Sequence, residues 1–282
     1  MLSRLLTPAL LVVSTIAAPA AKRTTHNDFS CRSTTHPNPV VLMHGLGATY
    51  YEDINELDVY LQAQDYCTFS ITYGEFVEEF PYVGGLEHIA VSAPTLASFI
   101  QQVQTETGAS KVDLVGHSEG AFMALYVPKF EEGVASIIDH SFAIAPPTHG
   151  TTFAKLWSIA ILLGNITETV VTNILDTFGC PACADLVTNG TAVERLNEGQ
   201  ITQPGITYTI LISKDDELVT PPTTAFVDEP GVRNLYVQDF CPLDTVGHIG
   251  EAYDANVWAI VDNTLSGSDA GPEECSFGAP GR

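Results

Sequence analysis

Short apolar runs alternate with stretches of helical periodicity along most of the chain. The runs are rich in β-branched and aromatic residues and lie at 39–43, 66–73, 111–115, 135–145, 206–213 and 234–237. Such runs are typical of buried strands. Apolar residues at helical spacing lie between them, at 53–64, 87–107, 121–126 and 250–266. This alternation predicts βαβ units, so we expect an α/β fold with a compact, mostly parallel sheet of about six strands flanked by helices.

Proline and glycine indicate where the longest helical stretch begins and ends. Pro94 predicts its first turn, because a residue in that turn has no use for the N–H that proline lacks. Gly108 predicts its end, since a left-handed residue commonly closes a helix.

The segment 150–205 interrupts the alternation. It carries helical patterns at 153–163 and 167–178 that are apolar on more than one face, so we expect a helical cap inserted between two strands. The expected main domain covers 39–266 and includes this cap. The tail 267–282 is rich in Gly, Ser and Pro, and we expect it to be irregular.

The N-terminus has the pattern of an export signal. Arg4 precedes an almost wholly apolar run, and small residues follow it. Residues 1–20 are therefore interpreted as a signal peptide, and 21–38 as a propeptide remnant and N-terminal segment, with Lys22-Arg23 a dibasic processing site. The apolar run is too short to span a bilayer, and no later segment is long and apolar enough to do so. We expect a secreted, extracellular protein.

Composition narrows the possible partners. The 282 residues are 45% hydrophobic with a mean hydropathy of +0.14, which suits one large domain. The formal net charge is −23. Such a surface repels phosphate backbones, so nucleic-acid binding is excluded as a function class. Neither a His-Glu-x-x-His nor a Gly-x-Gly-x-x-Gly motif is present, and we expect no metal or cofactor. Composition assigns no oligomeric state.

Six cysteines in an exported chain indicate disulfides. They are Cys31, Cys67, Cys180, Cys183, Cys241 and Cys275. Cys31 and Cys67 flank early strands and are a reasonable pair, which leaves Cys180–Cys183 and Cys241–Cys275; a bond from Cys180 or Cys183 to Cys241 is the alternative. Asn165 and Asn189 begin N-glycosylation sequons.

A nucleophile motif follows the third predicted strand. Gly116-His117-Ser118-Glu119-Gly120 matches Gly-x-Ser-x-Gly, with a helical stretch directly after it. The glycines are needed because larger side chains two residues either side of a strained serine would collide. We expect Ser118 to be a catalytic nucleophile at the positive end of a helix.

Ser118 needs a base and an acid, which this type of fold supplies in the order Ser, Asp or Glu, His. His248 is the histidine that follows the region of the acid, on a loop between the last strand and the last helix. The acid should follow the fifth strand, where Asp215, Asp216 and Glu217 are all available.

An oxyanion hole requires two backbone N–H groups. One should belong to Glu119, the residue after the nucleophile. The other should come from the turn after the first strand, and Leu46 is the candidate. We expect the Glu119 carboxylate to point away, to solvent or to a local donor, because a charge facing the oxyanion would oppose catalysis.

Taken together, these residues resemble the secreted class 2 lipases, a family of triacylglycerol lipases in the α/β-hydrolase superfamily. The matching stretches are 39–45, 66–74, 109–118, 149–152, 180–183, 216–221, 239–244 and 248–250. The resemblance implies an α/β-hydrolase fold that lacks the first two strands of larger hydrolases, and it selects Asp216 as the acid. The family usually has Gln where this chain has Glu119; we expect activity to survive and the pH profile to shift.

The resemblance also implies a substrate class. The implied substrate is a lipid or another ester, met at an oil–water interface and hydrolysed through a Ser118–His248–Asp216 triad and an acyl-enzyme. We expect the cap to supply the acyl site, with Trp157 among its contacts. The same triad would equally serve an esterase, a polyesterase or an acyltransferase, and a catalytically silent binding protein is the alternative of another class.

Overall fold

Six parallel strands form one sheet at the centre of the molecule. The computed structural model describes residues 26–75, 83–152 and 180–279. The sheet order is β2-β1-β3-β4-β5-β6, and every neighbouring pair is parallel. The strands are β1 (Val40–Met43), β2 (Thr68–Ser70), β3 (Val112–His117), β4 (Ile138–Ile144), β5 (Thr207–Ile212) and β6 (Val232–Tyr236). The predicted α/β architecture is confirmed, and the sheet is parallel throughout.

The strand order positions the functional site. The chain passes from β1 to β2 on one side and then returns to place β3 on the other side of β1. The connections after β1 and β3 therefore lead to opposite sides of the sheet, which leaves a crevice above the carboxyl ends of these two strands. The buried strand residues give a continuous core: all four of β1 and all six of β3 are buried. The crevice thus has a rigid floor.

Helices pack against the sheet through their apolar faces. Among the described residues they are α1 (Asn55–Ala63), α2 (Ile89–Thr107), α3 (Glu119–Phe130), α4 (Pro181–Leu186), α5 (Thr191–Leu196), α6 (Val237–Phe240), α7 (His248–Glu251) and α8 (Ala255–Leu265), with short 3₁₀ turns at Ala135–Ile137 and Pro222–Ala225. Helix α3 is buried along most of its length. None of the described helices is long and apolar enough to cross a membrane.

The expectation that Pro94 marks the first turn of α2 is wrong. The helix begins at Ile89 and Pro94 lies inside it. The reason is a tertiary contact: the buried Asp185 carboxylate accepts the Ile89 N–H at 2.9 Å and contacts the His88 ring at 3.1 Å. This contact supplies an acceptor at the N-terminus, so the helix starts earlier than local sequence predicts. The end is as predicted, because Gly108 is left-handed with φ 68°.

The segment before β1 packs against the sheet edge. The Asn27 side chain donates to the Ser70 carbonyl and accepts the Ser70 N–H, both at 2.9 Å, so it satisfies part of the open edge of β2. A disulfide from Cys31 to Cys67 fixes the same segment. The other bonds are Cys180–Cys183 and Cys241–Cys275, so all six cysteines are paired.

Much of the expected cap and the whole signal segment lie outside the described residues. That applies to Trp157 and Asn165. Asn189 is described and exposed, so its sequon is accessible. The tail from Gly267 to Ala279 is irregular, as expected, and Cys275 ties it to Cys241.

The disulfides should differ in what they contribute to stability. Cys31–Cys67 spans 36 residues and Cys180–Cys183 spans 3. If cross-links act by restricting the unfolded chain, the first contributes about 4 kcal/mol and the second about 2 kcal/mol. We expect the Cys31→Ser/Cys67→Ser protein to lose more unfolding free energy in urea than the matched Cys180→Ser/Cys183→Ser protein. Equal losses, or the reverse order, would contradict this account.

Candidate active site

Ser118 stands at a sharp turn between β3 and α3. Its backbone has φ 56° and ψ −117°, a conformation that costs energy for any residue with a side chain. The flanking glycines make the turn possible. A Cβ on Gly116 would lie 2.1 Å from the Gly120 carbonyl oxygen, and a Cβ on Gly120 would lie 2.1 Å from the Met43 carbonyl oxygen. The sterics expected from the Gly-x-Ser-x-Gly motif are present.

Three predicted residues come together above this turn. The Ser118 Oγ lies 2.8 Å from His248 Nε2, and His248 Nδ1 lies 2.7 Å from Asp216 Oδ2. The remaining oxygen of Asp216 accepts the N–H groups of Leu218 and Val219, each at 2.8 Å. The side chains come from three separate loops at one edge of the sheet. This arrangement orients the imidazole so that Nε2 faces the serine hydroxyl.

The three acids that follow β5 have different environments. Asp215 is exposed, and Glu217 accepts the backbone N–H of His248 at 3.0 Å through its Oε2. Only Asp216, among these three, contacts the imidazole. Burial raises the pKa of the Asp216 carboxyl, but His248 and the two N–H donors lower it by more. The pKa is therefore below its usual value. Asp216 is therefore ionised where it meets the histidine.

A fourth acid, Glu251, lies behind this pair and was not predicted from the sequence. It is fully buried in α7 and accepts the Ser213 N–H at 3.0 Å. Burial, together with the neighbouring Asp216 charge, raises the pKa of Glu251 well above its usual value. Two adjacent buried carboxylates would repel each other. Burial and the Asp216 charge thus favour the protonated form of Glu251, and Asp216 is the charged carboxylate of these two.

The turn after β1 lies directly against the serine. A Cβ on Gly45 would be 3.2 Å from Ser118 Cβ, so the glycine allows the two turns to touch. Gly47 donates to the Gly84 carbonyl at 3.1 Å and Gly84 donates to the Ala48 carbonyl at 2.8 Å. Within the described segments, the N–H groups of Leu46 and Glu119 have no acceptor. Both N–H groups are thus available to bind an anion beside Ser118.

The Glu119 side chain is not directed to solvent, which was one of the two directions expected of it. It is 0% exposed, beside Gly85 and Tyr73. The nearby Tyr73 hydroxyl, a potential local donor, donates to the His44 carbonyl at 2.8 Å. Burial, with a smaller contribution from the Asp185 charge, raises the pKa of Glu119 well above its usual value. The carboxyl is therefore neutral at moderate pH, and it can occupy the place of an uncharged glutamine.

A pocket of about 290 Å³ opens above Ser118. Glu52, Asp53 and Thr151 line part of it, and the rest of the lining is largely apolar, with Leu46, Pro147, Leu186, Leu218, Val219 and Ile249. Ile249 is 50% exposed at its mouth. Such a lining accepts an apolar group next to a reactive hydroxyl.

One group of side chains among the described residues has the spacing of a cation site. It consists of Asp113, Asp139 and His140, at the amino ends of β3 and β4 and so at the sheet edge opposite Ser118. The Asn38 amide donates to Asp113 at 3.2 Å and to Asp139 at 2.9 Å. The acceptors are thus already used by a neutral donor, and nothing here assigns a metal.

A model of the family described as Lipase (class 2) matches residues 37–257. A triacylglycerol lipase of Pseudomonas fragi is 28% identical over 148 residues, which are 50% of this chain and 45% of that protein. The chain thus spans about half the length of the curated relative that it matches.

Two solved structures show the fold. Lipase B of Aspergillus fumigatus superposes with a TM-score of 0.62 at 19% identity, covering 84% of this chain and 53% of that one. A metagenomic carboxyl esterase superposes with a TM-score of 0.51 at 17% identity, covering 78% of this chain and 67% of that one. The shared architecture is the α/β-hydrolase fold.

The buried Glu119 should make stability depend on pH. Its pKa is raised from 4.5 in the folded state, so the folded protein binds a proton that the unfolded chain releases. Stability from this group is complete below the unfolded pKa and is lost as pH rises towards the folded pKa, at about 1.4 kcal/mol per pH unit. Glu119→Gln removes this loss. We expect the stability of Glu119→Gln relative to wild type to increase with pH above 4.5 in urea denaturation.

Glu106→Gln provides the matched control. Glu106 is exposed, so this substitution changes the same atoms at a position that water solvates in both the folded and the unfolded protein. A stability difference between Glu119→Gln and wild type that stays constant across pH would show that Glu119 is ionised in the folded protein.

Proposed function

We propose, on the premise that this chain belongs to the class 2 lipase family, that it hydrolyses carboxylic esters, with lipid esters as the substrate class. The observation that carries the proposal is the continuous contact from Ser118 through His248 to Asp216, at 2.8 and 2.7 Å. A serine hydroxyl becomes a competent nucleophile when an oriented base takes its proton. The family membership indicates which bond it attacks.

The proposed reaction has two halves. His248 Nε2 takes the Ser118 proton as Oγ attacks the ester carbonyl, and Asp216 stabilises the imidazolium that forms. The carbonyl oxygen becomes an oxyanion and accepts the N–H groups of Leu46 and Glu119. The imidazolium then protonates the leaving alcohol, which leaves an acyl group on Ser118. Water, activated by His248, attacks the acyl-enzyme and releases the acid.

The charge distribution around the serine supports this mechanism. An oxyanion is stabilised when no fixed negative charge faces it. Asp216 lies behind the imidazole, and its charge is balanced there as the imidazolium forms. Burial favours the neutral form of both Glu119 and Glu251.

Lipid esters are favoured as substrates by the pocket and by the relatives. The lining beside Ser118 is largely apolar, which favours acyl chains through burial of apolar surface. The Pseudomonas fragi relative is described as a triacylglycerol lipase. The proposed cap at 150–205 would add apolar surface over this pocket, with Trp157 as one contact. Export through the signal at 1–20 and glycosylation at Asn165 and Asn189 remain part of the proposal, and three disulfides are consistent with export.

Loss of either the nucleophile or the base should abolish turnover. Ser118→Ala and His248→Ala should each lower kcat on a short-chain aryl ester by more than about 10³-fold, because either change prevents attack on the carbonyl. Circular dichroism and urea denaturation confirm that the variants are folded. A pure Ser118→Ala protein that keeps more than about a tenth of wild-type kcat would exclude the assignment.

The cap proposal is tested by the length of the acyl chain. If Trp157 contacts the acyl group, Trp157→Ala should lower kcat/KM for long-chain esters about 10-fold or more and leave acetate esters nearly unchanged, since only long chains reach the apolar contact. The measurement compares a series of esters on wild type and variant. Equal losses on all chain lengths, or no loss, would assign the residue a purely structural role.

A further inference from the structure

A second histidine–carboxylate pair lies beneath the proposed triad. His117 Nδ1 is 2.7 Å from Asp53 Oδ1, and both side chains are nearly inaccessible to solvent. His117 immediately precedes Ser118, whereas Asp53 ends the loop that follows β1. Neither residue was singled out by sequence reasoning, and the proposed reaction steps do not use them. They do, however, contact both loops on which those steps depend.

Asp53 fixes the turn after β1 that carries the Leu46 N–H, the oxyanion turn. The other carboxylate oxygen, Oδ2, accepts the Gly45 N–H at 2.6 Å, and Gly45 directly precedes Leu46. The Asp53 backbone has φ 82°, a region that an L-residue occupies at a cost. Its N–H donates to the Tyr253 hydroxyl at 2.7 Å. Both carboxylate oxygens and the backbone N–H of Asp53 thus form hydrogen bonds in this crevice.

His117 fixes the segment that carries the His248 imidazole, the proposed base. The second ring nitrogen, Nε2, lies 2.9 Å from the His248 carbonyl oxygen, and the two histidine rings are 5.0 Å apart between centroids. The same imidazole therefore contacts a carboxylate on one side and the backbone of the proposed base on the other. One buried ion pair joins the turn that carries the Leu46 N–H to the loop that carries the His248 imidazole.

Hydrogen bonding defines the protonation state of this ring. Both nitrogens of His117 face acceptors, so both must carry a proton if both bonds form. His44, also fully buried, provides the contrast: Nδ1 lies 2.8 Å from the Gly45 carbonyl and Nε2 accepts the Tyr73 N–H at 3.3 Å, which requires a neutral ring. Burial lowers the pKa of His117, but Asp53 and the His248 carbonyl raise it more, whereas burial dominates and lowers the pKa of His44.

We propose that the buried Asp53–His117 ion pair is a positioning unit that sets the oxyanion turn and the proposed base in register around Ser118. The inference rests on the proposed function for its effect on the reaction. The imidazolium form is the active one. When His117 loses a proton, one nitrogen lone pair faces either the Asp53 carboxylate or the His248 carbonyl, and the repulsion breaks one of the two connections. Asp216 also faces this ring electrostatically and favours the same charged state.

Two substitutions distinguish the effect of the charge on the Asp53–His117 pair from the effect of its contact with the His248 carbonyl. His117→Asn removes the contact with the His248 carbonyl and should lower kcat about 10- to 100-fold with KM nearly unchanged, because misplacement of reacting groups penalises the chemical step. In Asp53→Asn, the amide oxygen can still accept the Gly45 N–H, and the amide nitrogen can donate to a neutral His117. We expect kcat to fall less in this variant than in His117→Asn. In wild type, His117 deprotonation causes kcat to decline at alkaline pH, and in Asp53→Asn this decline should disappear.

Kinetics are measured in a Glu119→Gln background, so that titration of Glu119 does not contribute to the alkaline decline. Asp113→Asn provides the matched control. It removes a buried carboxylate that approaches another histidine, His140, at 3.5 Å on the opposite edge of the same sheet. That variant should keep wild-type kcat and its pH profile, whatever its effect on stability.

Nitrogen-15 NMR of histidine-labelled protein tests the ion pair without any substrate. We expect both ring nitrogens of His117 to be protonated at neutral pH in wild type and only one in Asp53→Asn. A neutral His117 in wild type would overturn the proposal. Unchanged kcat and pH profile in folded His117→Asn would also overturn it while leaving ester hydrolysis intact. If the wild type cleaves no ester, the proposed function fails, and the NMR result still decides whether the ion pair exists.

Discussion

The turns that end β1 and β3 touch at Gly45 and Ser118, and the rest of the site depends on that close approach. The nucleophile needs a strained backbone to present its hydroxyl, and the oxyanion turn must come within van der Waals distance of it. Glycines at 45, 116 and 120 make this possible, since a Cβ at each position would be crowded against Ser118, Gly120 or Met43. The parallel sheet supplies the rigid floor, because β1 is paired with β3 along the whole length of β1. Strain at Ser118 can persist only because this packing is so tightly determined.

Burial then decides which groups near the serine carry charge. Every acid and histidine in the crevice would cost energy as an isolated ion. Asp216 and Asp53 are ionised because each meets an imidazole and backbone N–H donors. Among the described residues, neither Glu119 nor Glu251 pairs with an imidazole, and burial favours their neutral forms. In a chain with a net charge of −23, the buried carboxylates that stay ionised around Ser118 are thus those paired with a histidine.

Sequence patterns predicted the strands and the sharp turn at Ser118 well because both are local signals. A β-branched apolar run predicts a strand wherever it occurs, and Gly-x-Ser-x-Gly encodes the sterics of its own turn. The start of α2 was misplaced because a residue nearly one hundred positions away, Asp185, binds its first N–H. The burial of the Glu119 side chain was not predicted for the same kind of reason: its neighbours Gly85 and Tyr73 come from a different loop. Asp53 and His117 gave no signal, since neither residue type nor spacing indicates a partner 64 positions away.

The central claim is that Ser118 is the residue that becomes acylated. The most direct measurement is mass spectrometry of the protein after reaction with an alkyl phosphonate ester that mimics the tetrahedral intermediate. The account predicts one phosphonate per chain, located by peptide mapping on Ser118, with labelling lost in His248→Ala at the same reagent concentration. Labelling of a different residue, or equal labelling of wild type and His248→Ala, would contradict it.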